Sequence, residues 1–302
     1  MPALDATDAE VALRPLTESD LRDAERLTAQ AYLGVDEMTL RVGDPAPALR
    51  SAARAAAWIR RAGHLLRTDP GGSWVAEDDD GLTGVAISFR RELMWVLSSY
   101  AVRPGLQGRG LGRVLLSAAL DHGRGCLRGM LAASADPRAA RRYRLAGFDL
   151  HPQMSLEGIV DRSRLPVVER VRDGAPSDIE LMDSLDRRTR GAAHGPDHAV
   201  LLQDFRLLVI DRSTGSGYAY VDDTGAPVLL AATQRRTAVD LMWEALAGSR
   251  PGQPVAVRHV TAPNQWALDV GMAATLSLRQ EGYLAVRHLK PPAPYLPHGG
   301  LL

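Results

Sequence analysis

The spacing of apolar and polar positions predicts alternating strands and helices in the first part of the chain. Residues 11–15 predict a short strand, and apolar residues at helical spacing then follow Thr17, which can cap a helix. A second helical pattern covers residues 47–66, and residues 73–89 predict a hairpin around the turn sequence DDDG. The run MWVLSSYAV at 94–102 is nearly all apolar or small, which is typical of a buried central strand.

A glycine-rich segment, RPGLQGRGLGR at 103–113, separates this strand from a predicted helix over 111–122 with one apolar face. Residues 126–133 predict another strand. Residues 137–145 predict a helix that stops at Gly147, because glycine readily ends helices. Strands and helices that alternate in this way predict an α/β fold with a mixed sheet.

The pattern begins again after Pro166. Residues 171–185 align with residues 13–27, and Ser177 with Glu180 forms a capping box. Strand-like and helical runs then follow in the earlier order, which predicts tandem domains of one fold. We therefore expect one domain at 1–158, a second at 166–290, and a Pro/Gly-rich segment at 291–302 that is extended or partly disordered.

Charge and composition narrow the possible functions. The 302 residues carry 36 basic and 36 acidic side chains, so the net charge is zero, which argues against nucleic-acid binding as the main task. Lys290 is the only lysine; the arginine bias indicates GC-rich coding and a bacterial source. Cys126 is the only cysteine, which excludes an internal disulfide and a cysteine metal cluster and favours a reducing cytoplasm. Neither a long apolar run nor a signal-peptide pattern is seen, so we expect no membrane span.

The glycine-rich segment is a candidate phosphate-binding loop. A P-loop needs Lys and Ser/Thr after its last glycine, but Arg113 and Val114 follow Gly112. The spacing of Gly108, Gly110 and Gly112 also differs from the dinucleotide fingerprint. Glycines still let backbone N–H groups approach a diphosphate, and a following helix adds its positive end. The simpler alternative is a helix-start turn with solvated arginines.

The stretch 100–120, YAVRPGLQGRGLGRVLLSAAL, closely resembles the GNAT superfamily of N-acetyltransferases. Its QGRGLG matches that family's loop pattern Gln/Arg-x-x-Gly-x-Gly/Ala. The stretch 136–148, DPRAARRYRLAGF, is similar to the family's second cofactor motif, with Asp136 where asparagine is usual. The resemblance covers residues 11–155, and the second half resembles the family only in outline.

The resemblance implies that acetyl-CoA is the cofactor and identifies the residues that contact it. Backbone groups at the strand end would pair with pantetheine, although Val102 is also an ordinary core residue. The loop would hold the pyrophosphate, and Asp136 would cap the next helix. The implied cofactor residues are Ala101, Val102, Gln107, Gly108, Arg109, Gly110, Leu111, Gly112, Arg113, Asp136, Arg138 and Ala139.

Two residues are candidate catalysts, and one of them, Tyr143, is implied by the same resemblance. Tyr143 occupies the position from which the family protonates the departing CoA thiolate; the alternative is a tyrosine that packs on the sheet. The predicted central strand lacks the acidic residue that family members place there as a base. Glu92 at its start could act through water, or could form a surface ion pair. Three histidines are further alternatives for the base, but no spacing supports them: His64, His122 and His151.

The second half lacks the phosphate loop, because the corresponding junction, ATQRRT at 232–237, contains no glycine. Residues 264–272 are similar to a shortened second motif without a tyrosine. We therefore interpret this half as a degenerate domain. His259, Trp243 and Trp266 could line an acceptor pocket, with buried packing as the alternative for the tryptophans. His194 and His198 are interpreted as a chance pair in a loop.

These features together predict an enzyme that moves an acetyl or short acyl group from CoA to an amine of a small molecule, peptide or protein. A silent acyl-CoA-binding sensor is the alternative, since both functions need the same loop. Nucleic-acid binding through the arginines is a weaker third hypothesis. A homodimer is possible by the resemblance, and no membrane or nucleic-acid partner is expected.

Overall fold

The computed structural model describes residues 11–302, which form two compact units. Unit 1 contains residues through Arg90 together with Leu97–Gly125, and unit 2 contains Arg91–Val96 with Cys126–Leu302. This division does not fall at the boundary predicted between 158 and 166. The assignment of one domain to each half of the sequence stays a prediction.

Unit 1 is built on a sheet in the order β1-β2-β3-β4, in which the first three strands are antiparallel neighbours. The predicted hairpin and the predicted helix after the loop are confirmed. The second helix begins at Ala52 rather than near Pro47, because Ser51 caps it by accepting the N–H of Arg54. Its elements are β1 (Ala12–Pro15), α1 (Leu21–Thr39), α2 (Ala52–Thr68), β2 (Ser73–Asp78), β3 (Gly81–Arg91), β4 (Met94–Val102, which runs through both units) and α3 (Leu111–His122).

Unit 2 contains the remaining helices and strands. The helix predicted at 137–145 has those bounds, and the strand predicted from Cys126 begins at Arg128. The elements are β5 (Arg128–Ala133), α4 (Pro137–Leu145), β6 (Asp149–Ile159), β7 (Arg172–Asp173), α5 (Ile179–Thr189), α6 (His198–Asp204), β8 (Arg206–Ile210), β9 (Gly217–Val221), β10 (Pro227–Ala232), α7 (Arg235–Ala247), β11 (Pro254–Thr261), α8 (Gln265–Ala273), β12 (Ser277–Arg287) and β13 (Tyr295–Leu296).

The order of elements from β1 to β6 is repeated from β7 to β12, as the sequence pattern predicts. The two halves of the sequence exchange strands within unit 2, where the order is β5-β12-β6-β11. The last strand of the second half, β12, is antiparallel to both β5 and β6. The last strand of the first half, β6, lies between β12 and β11. Each half therefore completes the sheet of the other.

A second sheet of unit 2 has the order β13-β10-β9-β8-β7. Its apolar face packs with α7 and α8 in one core, which includes Trp266. Of the two forms expected for residues 291–302, the extended one is present and the disordered one is not: β13 is paired with β10, and Leu301 and Leu302 are buried. The prolines and glycines of residues 291–302 therefore belong to a packed segment and not to a disordered one. Among residues 11–302, no helix combines the length and the apolarity needed to cross a membrane.

Candidate acyl-CoA site

The carboxyl end of β4 is fixed by the arginine that follows it. The backbone N–H of Arg103 donates to Thr83 O at 2.8 Å, and its guanidinium reaches Leu82 O at 2.9 Å and Asp78 Oδ1 at 3.1 Å. Ala101 and Val102, the predicted pantetheine-binding residues, are buried at this strand end. Arg103 therefore anchors the strand from which the loop departs.

The loop turns through glycines in a conformation that other residues rarely adopt. Gly108 and Gly110 have φ values of 87° and 93°. A Cβ added at either position would meet no atom within 4 Å, so packing does not require glycine there. Gln107 closes the turn by donating from Nε2 to Val102 O at 3.2 Å. The glycines thus give the loop a curve with an open side, where a ligand can approach the backbone closely.

The helix α3 begins directly from this curve, with Gly110 as its N-cap and Leu111 as its first residue. A Cβ on Gly112 would lie 2.3 Å from Tyr100 Oη, so a larger residue there would have to displace this side chain of β4. The first amides of a helix have no partner inside the helix and carry the positive end of its dipole. Arg109 and Arg113 are exposed beside them. This part of unit 1 therefore has the chemistry of an anion site.

The helix α4 in unit 2 begins with the cap predicted for Asp136. Its Oδ1 accepts the N–H of Arg138 at 2.8 Å, and Pro137 occupies the first helical position. The Arg138 guanidinium also binds both carboxylate oxygens, at 3.0 Å on each. Burial raises the pKa of Asp136, but the hydrogen bonds from Arg138 outweigh it and hold that pKa below its usual value. Asp136 is therefore an anionic cap, with Arg138 beside it and the half-buried Ala139 one residue further along.

Tyr143 is the buried residue of α4, with only 5% of its surface exposed. Its backbone carbonyl accepts the N–H of Phe148, which ties the end of the helix to β6. The two candidate catalysts, Tyr143 and Glu92, both belong to unit 2, whereas the whole loop belongs to unit 1.

Glu92 lies in the turn between β3 and β4, at a φ of 52°. Its carboxylate accepts from Arg187 Nε at 2.6 Å and from the N–H of Ala193 at 3.3 Å. The ion pair that the sequence analysis considered is therefore present. A role for Glu92 as a base stays a prediction, and it requires the carboxylate to accept a proton beside a guanidinium.

Trp58 of α2 contacts the middle of β4, and Arg50 and Glu25 lie close to it, although no sequence pattern marks these residues. Ser99 Oγ accepts a hydrogen bond from Trp58 Nε1 at 3.2 Å, so this hydroxyl already has a partner. Arg50 lies 5.8 Å from the Trp58 ring centre and 3.3 Å from the buried carboxylate of Glu25. Burial lowers the pKa of Arg50, and Glu25 opposes that shift. Glu25 is thus an acidic residue of α1 that lies near β4 without being part of that strand.

The histidines interpreted as a chance pair form part of a fully buried polar cluster, which corrects that interpretation. His194 donates from Nδ1 to Asp186 Oδ2 at 2.7 Å and accepts at Nε2 from Arg190 Nη1 at 2.6 Å. Tyr218 Oη donates to Asp186 Oδ1 at 2.5 Å, and His198 Nε2 lies 3.2 Å from Asp183 Oδ1. The cluster joins the end of α5, the loop that follows it and the first residue of α6, so no single helical or strand spacing marks it in the sequence.

Three of these side chains, Asp186, His194 and His198, converge closely enough to suggest a metal site. The contacts do not fit one. A metal at His194 Nδ1 would force the ring proton onto Nε2, where it would face the N–H of Arg190. A neutral His194 accepts a hydrogen bond from the Arg190 cation and donates one to Asp186, so all three side chains have partners. We therefore interpret the cluster as a buried charge relay.

Two buried histidines of unit 2 are expected to make stability fall in weak acid. Burial and the Arg190 charge hold the pKa of His194 below its usual 6.5, and burial with Arg258 outweighs Glu281 to lower that of His259. The unfolded chain takes up protons below about pH 6.5 while the folded chain does not. The free energy of unfolding should fall between about pH 6.5 and 5, by up to about 1.4 kcal/mol per pH unit for each histidine.

Urea unfolding at a series of pH values measures this slope. In His194→Gln, the pH dependence of the free energy of unfolding should be weaker by the contribution of one titrating histidine. This is expected even if the substitution changes the absolute stability. Carboxylates with lowered pKa values, such as Asp178 and Asp20 (whose pKa is about 2), affect stability only at more acid pH. An unchanged slope in His194→Gln would show that this histidine is protonated in the folded chain.

The residues considered for an acceptor pocket in the second half have distinct surroundings. Trp266 is buried in the core of unit 2 and Trp243 packs against it, so packing accounts for both. His259 lies at a bulge of β11 with a φ of 62°, and its Nδ1 is 3.3 Å from Gln153 Oε1. Its backbone N–H donates to Glu281.

Comparisons with known proteins agree with this geometry. Residues 38–148 match the sequence model of the family described as the acetyltransferase (GNAT) family, which uses acetyl-CoA. A search of the curated proteins gives no significant match.

Solved structures with this fold span nearly the whole chain. A Pyrococcus horikoshii protein described as a candidate acetyltransferase has a TM-score of 0.72 at 17% identity, covering 100% of this chain and 98% of that one. A GCN5-related N-acetyltransferase from Sphaerobacter thermophilus has a TM-score of 0.56 at 17% identity, covering 92% and 95%. A tandem GNAT protein from the clavulanic acid biosynthesis pathway has a TM-score of 0.55 at 15% identity, covering 92% and 98%. The α/β GNAT-like fold expected from the sequence is confirmed.

Proposed function

We propose that this chain, whose residues 38–148 match the model of the acetyltransferase (GNAT) family, transfers an acetyl or short acyl group from CoA to an amine. The observation that carries the proposal is the glycine loop between β4 and α3. Its positive φ values, its open side and the helix start that follows suit a diphosphate ester. Because the matched family uses acetyl-CoA, coenzyme A is the diphosphate ester that we expect this loop to bind.

The proposed chemistry needs few side chains. Bound acetyl-CoA supplies a thioester whose carbonyl carbon an amine can attack, so that a C–N bond forms and the C–S bond breaks. A backbone N–H at the end of β4 would stabilise the negative oxygen, since fixed amide dipoles are strong at such positions. Tyr143 would donate its phenolic proton to the leaving sulfur, because a phenol placed beside a thiolate is a competent acid. The amine gives up its own proton to water or to a base, for which Glu92 stays a prediction.

Tyr143→Phe is expected to lower turnover by at least about tenfold while acetyl-CoA affinity changes little. The phenolic proton is needed only when the sulfur leaves, so its loss acts on turnover rather than on binding. Steady-state thiol release with a responsive amine measures the effect. Tyr220→Phe removes a buried hydroxyl elsewhere and should keep wild-type turnover. Equal turnover in Tyr143→Phe would remove this residue from the mechanism.

A catalytically silent acyl-CoA sensor is the second candidate, and the ion pair between Glu92 and Arg187 favours it, because it occupies the predicted base. Thiol release during incubation with acetyl-CoA and a broad amine panel separates the two functions. Amine-dependent release supports the enzyme. Tight binding of acetyl-CoA without release for any amine supports the sensor, and no binding at all refutes both.

A further inference from the structure

The segment 291–302 is held to unit 2 as an added strand. Tyr295 and Leu296 pair antiparallel with Ala231 and Leu230 of β10, and the N–H of Ala232 donates to Pro294 O at 3.2 Å. Tyr295 and Leu296 are fully buried. This segment therefore uses the backbone hydrogen-bonding groups at the end of β10.

A second attachment comes from Asn264, the only asparagine in the chain. Its Nδ2 donates to Pro292 O at 2.9 Å, and its Oδ1 accepts the N–H of Tyr295 at 3.0 Å. Trp266 Nε1 donates to the same oxygen at 3.0 Å and fixes the orientation of the amide. Asn264 is buried, so its side chain is a dedicated clamp on the main chain of this segment.

These two attachment points correspond to the predicted cofactor contacts of the first half. By the repeated order of elements, β10 and α8 correspond to β4 and α4. Ala231 and Ala232 then correspond to the strand end at Ala101 and Val102, and Asn264 corresponds to the helix start at Asp136. In the first half, that strand end is expected to pair with the pantetheine amides.

The side chain of Tyr295 enters the buried charge relay. Arg190 and Asp186 are among the charged groups that act on its phenol, and burial raises its pKa. A hydrogen bond between Tyr295 and the Arg190 side chain opposes that rise, so the tyrosine hydroxyl lies beside this guanidinium. Tyr295 thus anchors the segment in the buried polar cluster through its hydroxyl as well as through its ring.

We propose that the cleft between β10 and α8 is a peptide-binding cleft whose occupant is the chain's own segment Pro292–Leu296, which closes the second half to coenzyme A. Strand addition supplies the main-chain hydrogen bonds, Asn264 fixes the register, and Tyr295 anchors the segment by its ring. The missing glycine loop at 232–237 agrees with this, because a peptide brings no diphosphate. The closure to coenzyme A rests on the proposed function; the occupancy of the cleft does not.

Hydrogen exchange of the full chain, followed by mass spectrometry with and without acetyl-CoA, tests the proposal. The amides of Tyr295, Leu296 and Ala232 should exchange slowly, at the same rate in both conditions, while those of the 107–113 loop should slow on addition of acetyl-CoA. Asn264→Ala should raise exchange in 292–302 by about tenfold or more, because it removes two main-chain contacts. Gln265→Ala is the matched control and should leave it unchanged.

Three results would overturn the proposal. The wild-type segment could exchange at the rate of an unstructured chain, acetyl-CoA could change its exchange, or Asn264→Ala could leave it protected. Hydrogen exchange of this segment in the wild-type chain tests the proposal even if the Asn264→Ala variant does not fold. If the loop shows no response to acetyl-CoA while the segment remains protected, the proposed function fails and the peptide cleft stands.

Discussion

Gly110→Asp is expected to weaken acetyl-CoA binding by at least about 100-fold, which corresponds to about 2.7 kcal/mol. Gly110 has a φ of 93°, a conformation that is costly for any side chain, so aspartate would pull the loop out of its curve. The new carboxylate would also lie at the N-cap of α3, where the diphosphate is expected, and like charges would repel. Calorimetric titration with acetyl-CoA measures the loss.

Gly125→Asp is the matched control for this change. Gly125 has a φ of 87° and open space where a Cβ would lie, so the strain and the added charge are the same. It lies beyond the C-terminal end of α3, away from the loop. We expect Gly125→Asp to bind acetyl-CoA like the wild type. Equal losses in the two variants would mean that backbone strain, and not the loop, sets the affinity.

Separating the two halves of the sequence is expected to abolish folding of the first half. A fragment of residues 1–165 lacks β12, which pairs with β5 from Gly129 to Ala133, and lacks β11, the other neighbour of β6. It also uncovers residues that pack against the buried Leu284, Ala285 and Val286. The loss is comparable with the whole stability of a domain, about 5–15 kcal/mol.

Co-expression with residues 166–302 is the control, since the second fragment supplies β12 and β11. We expect the single fragment to show no cooperative unfolding transition and no acetyl-CoA binding, and the pair to recover both. A lone fragment that melts cooperatively and binds acetyl-CoA would contradict the strand exchange. It would favour two independent domains instead.

The features that the sequence predicted well are those encoded by neighbouring residues. The start of α3 follows from Gly110 and the start of α4 from Asp136 and Pro137, because caps act within a few residues. The buried face of α1 follows from apolar spacing. The loop that carries the proposed function is local in the same sense, which is why it could be identified before the structure.

Features that depend on distant partners could not be predicted in this way. Nothing in the sequence of β12 indicates that it pairs with β5 and β6 rather than with its own half. The sequence indicated the loop before His198 but not the burial of His194, because that burial depends on contacts with Asp186 and Arg190. The composition of residues 291–302 left an extended and a disordered segment as alternatives, because the contacts that hold it, such as those of Asn264, come from distant residues.

The most direct test of the account is the stoichiometry of acetyl-CoA binding to the full chain, measured by calorimetric titration. The account predicts one molecule bound per chain, on the loop at 107–113, and loss of that binding in Gly110→Asp. Two molecules per chain, no binding, or full binding in Gly110→Asp would contradict it.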